Sequence, residues 1–155
     1  MKSSPRLIAT AFCAAALALA GGAAVAAVNA KAVIETREGN FKSMGKAMKA
    51  MNEGLRADAP DMSAIASNAA VIRGFAPKIA TWFPKGTGPE SGVKTEARAE
   101  IWTDSAGFAA AARRLEPEIT KLEALARAGD VDGARAQFRM VGGACKGCHD
   151  KFKQD

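Results

Sequence analysis

The sequence has no tyrosine, one histidine (His149) and three cysteines in 155 residues. A single imidazole excludes any catalytic or metal scheme built on two histidines. Three cysteines are too few for a disulfide-built scaffold. Basic residues exceed acidic ones only mildly, 22 against 16. With no Lys/Arg block and no interleaving of basic and aromatic residues, no nucleic-acid partner is expected. Acidic residues are scattered without a pair suited to acid–base work, so no turnover enzyme is expected either. Nothing in the chain alternates as a β-strand would, and the length suits one domain.

The strongest apolar run lies at the N-terminus. Lys2 and Arg6 precede an almost wholly apolar stretch, Ile8 to Ala20, and small residues follow, ending in Ala24-Val25-Ala26. That order reads as a secretory signal peptide over residues 1–26, cut near Ala26 or Ala27, with residues 27–155 forming the folded domain. A membrane anchor fits less well, because the apolar part falls short of the roughly 20 residues a spanning helix needs. Cys13 would leave with the signal, and no membrane association is expected afterwards. The remaining chain carries 20 basic and 16 acidic residues, a net charge of +4 that suits ordinary solvated surface.

Four blocks with helical periodicity follow. In the first, from Lys31 to Arg56, residues Ile34, Arg37, Phe41, Met44, Met48, Met51 and Leu55 share one face. In the second, from about Ser63 to Phe83, Ile65, Ala69, Ile72, Ala76, Ile79 and Phe83 are in phase. Pro84 to Gly92 is rich in Gly and Pro and reads as a connector. The third block, about Val93 to Ala128, aligns Ile101, Phe108, Ala112, Leu115, Ile119, Leu122 and Ala126, with a kink or break expected near Arg113 to Glu116 because of Pro117. Gly129-Asp130 reads as a stop and an N-cap. A last helix then faces inward with Ala134, Phe138, Val141, Cys145, Cys148 and Phe152. Four amphipathic helices on short links predict an all-α, antiparallel up-down-up-down four-helix bundle.

The chemistry is concentrated in Cys145-Lys146-Gly147-Cys148-His149, a C-x-x-C-H string that matches the attachment site of a c-type haem. Two thiols at this spacing add to the two vinyl groups on one edge of the macrocycle, and the adjacent imidazole turns onto the iron. One covalent haem c per chain is therefore expected, on Cys145 and Cys148 with His149 as axial ligand. A zinc site would have only these three residues and Asp150 within reach. A dithiol redox motif usually follows a strand, and a plain disulfide leaves His149 unexplained. Arg37 lies in phase with an apolar stripe, where a buried charge needs a partner such as a haem propionate; the other reading is an Arg snorkelling to solvent.

With this motif on the last helix after Val141-Gly142-Gly143-Ala144, the first-helix string Arg37-Glu38-Gly39-Asn40-Phe41-Lys42-Ser43-Met44-Gly45 and the central Thr95-Glu96-Ala97-Arg98-Ala99-Glu100-Ile101-Trp102, the chain resembles the cytochrome c′ family from about Ala32 to Lys153. The resemblance implies a periplasmic four-helix bundle, a homodimer pairing through the first two helices, and a haem without a sixth protein ligand. Low-spin relatives place a Met one turn after the helix-1 Arg; here that residue is Phe41, which implies a five-coordinate, high-spin haem with an apolar distal pocket that admits nitric oxide and carbon monoxide. Where many relatives carry a Tyr-Arg pair after the axial His, this chain has Phe152 and Lys153 beside the cofactor. The alternative is a small electron carrier with a redox partner protein, its iron closed by Met44 or Met48.

Overall fold

A computed structural model of the protein describes residues 29–154, so the expected signal peptide, with Cys13, lies outside the described residues. Six α-helices follow in order: α1 (Ala30–Leu55), α2 (Met62–Phe75), α3 (Glu100–Thr103), α4 (Ser105–Arg113), α5 (Leu115–Arg127) and α6 (Val131–Phe152). They form the four rods of an antiparallel bundle: α1, α2 with its extension, the α3–α4–α5 arm, and α6. Among the described residues no helix is long and apolar enough to cross a membrane.

Local chemistry sets the helix ends. Asn29, Asp61, Asp104 and Asp130 each accept a hydrogen bond from the backbone N–H three residues on, at Ala32, Ala64, Gly107 and Gly133. Each such cap contributes about 1 kcal/mol. Gly129 turns the chain out of α5 at φ +73°, a region glycine enters without steric cost. The expected break at Pro117 occurs just before it, at Arg114, so Pro117 falls in the first turn of α5. There its missing N–H would have had no helical partner, and the helix continues to Arg127.

Two expected boundaries need correction. The second rod is α-helical only to Phe75 and continues as a tighter 3₁₀ helix over Ala76–Trp82. Apolar spacing at Ile72, Ala76, Ile79 and Phe83 satisfies both pitches, which is why it did not separate them. The third rod starts at Glu100, not Val93. Residues 93–99 run as loop, and Ala97 makes an antiparallel bridge to Lys153 at the end of α6. Arg98 N donates to Phe152 O (3.0 Å) and Gln154 N to Glu96 O (2.7 Å), which ties the last turn of α6 to this loop.

The core is built mainly from the stripes read from the sequence, while their members Phe41, Met48, Phe83, Phe138, Cys145 and Cys148 are only partly buried against it. Met51, Ile65, Ile72, Ile119, Leu122 and Val141 are fully enclosed. Each contributes about 1.5–3 kcal/mol by leaving water. Gly54 brings α1 close to α2, since a Cβ there would lie 2.9 Å from Ile65 Cδ1. Three sides of the bundle are closed by α1 on α2, α2 on α5 and α5 on α6. On the fourth side α1 and α6 make few direct contacts.

Candidate functional site

That open seam holds the candidate residues. Arg135, near the start of α6, donates to Leu55 O (2.8 Å) and Ala57 O (3.1 Å) at the end of α1. The helices run antiparallel and each rises about 1.5 Å per residue. Fourteen residues further along α6, His149 therefore comes level with Phe41 to Ser43 on α1. Phe41, Met48, Phe138, Cys145 and Cys148 are partly buried against the core, so the seam is lined with incompletely covered apolar side chains.

Cys145 and Cys148 lie one turn apart on one face of α6 and are free thiols. Burial pushes both thiols up from their ordinary value, and Cys148 is raised further by Cys145. His149 is exposed on α6, and its pKa is held low, first by lost hydration and then by the Lys153 charge, with Asp150 and Glu96 opposing. Its imidazole is thus neutral near pH 7, the form that binds a metal. Among the described residues no three His, Cys, Asp or Glu side chains converge as a metal cluster, so the zinc reading lacks a donor set. Two same-face thiols, an adjoining imidazole and a half-covered apolar seam fit a covalently held, flat, largely apolar macrocycle.

Phe41 packs edge-on against Trp82 (5.2 Å between centroids) and beside Phe83 (6.3 Å). Phe83 meets Phe108 (4.9 Å), and Phe108 meets Phe152 (5.2 Å). Stacked edge-to-face pairs of this kind add about 0.5–1.5 kcal/mol each. The aromatic chain therefore runs from the α1 side of the seam to the residue three beyond His149. Phe152 is buried within it. Lys153 is turned to Glu96, with Nζ 3.0 Å from Oε2, and Lys151 pairs with Asp104 at 2.5 Å. These pairs, with the backbone bridge, fix the turn that carries His149.

Arg37 is buried, only 3% exposed. Its guanidinium donates to Thr87 Oγ1 (3.0 Å), Thr87 O (2.9 Å) and Thr95 Oγ1 (2.8 Å). It also stacks on the Phe83 ring at 4.6 Å. Burial lowers its pKa from the ordinary arginine value, with Glu38 and Glu90 opposing. The reading of an Arg snorkelling to water is therefore excluded for this conformation, and its hydrogen-bond partners here are neutral oxygens.

Thr87, Thr95 and Trp102 are the residues the apolar pattern did not nominate as a unit. Thr87 is fully enclosed although it lies in the Gly/Pro connector. Trp102 Nε1 donates to Phe83 O and Pro84 O, both at 3.1 Å, and so holds the connector over Arg37. Placed between two glycines, Thr87 gave no periodic signal.

The sequence model of the family described as Cytochrome C' matches residues 32–153. A cytochrome c' from Alcaligenes xylosoxydans xylosoxydans is 34% identical over 122 residues, 78% of this chain and 92% of the relative. The nitric oxide complex of a mutant cytochrome c prime from Alcaligenes xylosoxidans superimposes with a TM-score of 0.73 at 30% identity, covering 83% of this chain and 98% of that one. A cytochrome c' with an unusual ligand-controlled dimer dissociation gives a TM-score of 0.75 at 25% identity, covering 84% and 100%.

Proposed function

The chain belongs to the cytochrome c′ family, whose members carry haem c, and on that premise we propose that it is a periplasmic gas-binding haem protein rather than a turnover enzyme. Cys145 and Cys148 would hold the haem by thioethers and His149 would be its one protein ligand. Export would follow removal of residues 1–26. The haem, when bound, supplies an iron centre for diatomic ligands.

The chain's own residues set what reaches that centre. Phe41 is the carrying observation: it stands on α1 level with His149, and its ring has no donor atom with which to ligate or to hydrogen-bond a guest. A site closed by such a ring excludes water and disfavours ligands that need a hydrogen bond. That selects small neutral molecules, nitric oxide and carbon monoxide. The His149 turn, fixed through Glu96–Lys153 and Asp104–Lys151, holds the imidazole in place. Arg37 lies about one turn before Phe41 on α1, where a propionate could replace Thr87 or Thr95 as acceptor. The nitric oxide complex of a relative supports the choice of ligand, and the dimer dissociation described for another supports a dimeric assembly.

The optical spectrum of the reduced holoprotein, before and after addition of carbon monoxide or nitric oxide, tests this reading. A broad high-spin Soret band that shifts on addition is expected. A sharp low-spin spectrum indifferent to either gas would overturn it, and would place Met44 or Met48 on the iron of a small electron carrier.

A further inference from the structure

Met140, on the outer face of α6, is 57% exposed, more than any other large apolar side chain among the described residues. Two grooves run beside α6 and share Arg139, the neighbour of Met140 in sequence. One, of about 380 Å³, is lined by Arg114 and Arg139 and reaches Cys148. The other, of about 420 Å³, is lined by Arg56, Arg135 and again Arg139. Among the described residues Arg56, Arg114 and Arg139 form no ion pair. Arg135 is approached by Asp132 at 3.6 Å, whose carboxylate is almost wholly exposed. Glu118 is the one acid lining either groove, and its Oε2 already accepts from Gln137 Nε2.

We propose that this arginine-ringed face of α6, centred on Met140, is the docking surface for an acidic-faced one-electron carrier protein that reduces the haem. The proposal rests on the haem reading above and names a partner for that site. Uncompensated arginines around an exposed methionine match the composition of interface centres, where Arg and Met are enriched. A positive field steers an acidic partner and raises its association rate. Gly143 and Gly147 line the groove that reaches Cys148, and a Cβ at either would meet nothing within 4 Å. A partner can therefore approach the α6 backbone beside the covalent attachment point. A second copy of the chain fits badly, because a two-fold contact would set these arginines against themselves. In the transfer the carrier loses one electron and the ferric haem iron gains it to become ferrous, with no bond broken and no proton moved.

The test uses holoprotein and flavodoxin hydroquinone, an acidic one-electron donor, in stopped flow at ionic strengths from about 10 mM to about 0.5 M, the range over which screening falls from long to short distance. The second-order rate constant is expected to fall about tenfold or more across that range. The double variant Arg114→Glu/Arg139→Glu should lose about tenfold at low salt and converge with the wild type at high salt, while Lys146→Glu changes the rate less than about twofold. In parallel, amide NMR with oxidised flavodoxin should shift Met140, Gly143 and Gly147. An unaltered rate in the arginine variant, an equal loss in Lys146→Glu, or amide shifts produced by phosphatidylglycerol vesicles and not by flavodoxin would overturn the proposal. A preparation without a Soret band would instead fail the haem reading, and the NMR shifts report docking independently of it.

Discussion

Replacing Thr87 by Val removes one buried hydroxyl and nearly preserves shape. That hydroxyl donates to Pro84 O at 2.8 Å and accepts from Arg37 Nη1 at 3.0 Å, in a site with no solvent exposure. A neutral hydrogen bond of this kind contributes about 1 kcal/mol, and one to a charged group about 1.5–3 kcal/mol. The bond from Arg37 Nη2 to Thr87 O persists, so the loss should be about 2–4 kcal/mol. Guanidinium titration of the holoprotein, followed by far-ultraviolet circular dichroism, should show a lower midpoint at an unchanged slope. Thr87→Ser keeps the hydroxyl and removes only a methyl, so it should cost about 1 kcal/mol. A Val variant within about 0.5 kcal/mol of the wild type, or a Ser variant as damaged as Val, would refute the idea that this hydroxyl holds Arg37.

Met51→Ala, at a position with no exposure, leaves a cavity between α1 and its neighbours and should cost about 2–4 kcal/mol by thermal or chemical melting. Glu123 is buried between Arg73 and Arg127, and these two guanidiniums, Arg73 first, hold its carboxyl below the ordinary 4.5 against the opposing effect of burial. Because the folded value is the lower one, its stabilisation is complete above the unfolded value and is lost as pH falls through the folded one. Denaturation midpoints measured from pH 7 to pH 3 should therefore drop on the acid side, and Glu123→Gln should flatten that limb. Phe41→Met places a thioether where the ring now stands, level with His149, so a low-spin spectrum with weakened carbon monoxide binding is expected; an unchanged high-spin spectrum would remove Phe41 from the distal position.

The four apolar stripes were legible because burial in a helix repeats every 3.6 residues, and every position named on the third rod from Ile101 to Ala126 is enclosed. Val93 to Ala99 reads as helix for the same reason, because Val93 and Ala97 keep the four-residue phase into Ile101, but what fixes that stretch is backbone pairing to residues 152–154, more than fifty positions away. Periodic signals report a residue's relation to its own helix, whereas Thr87 and Glu96 act through partners on other elements. The heart of the candidate site was legible because a covalent haem demands fixed spacing, and C-x-x-C-H states it in five letters. Arg37 marks the boundary between the two kinds of information. Its phase on α1 announced that it points inward, and its cost there required acceptors, but nothing local named Thr87 and Thr95, which lie 50 and 58 residues on. The chemistry of the site is thus written in contiguous residues, while the support that holds it in register is distributed. Substitutions in the supporting loop should accordingly act on stability before they act on the Soret spectrum.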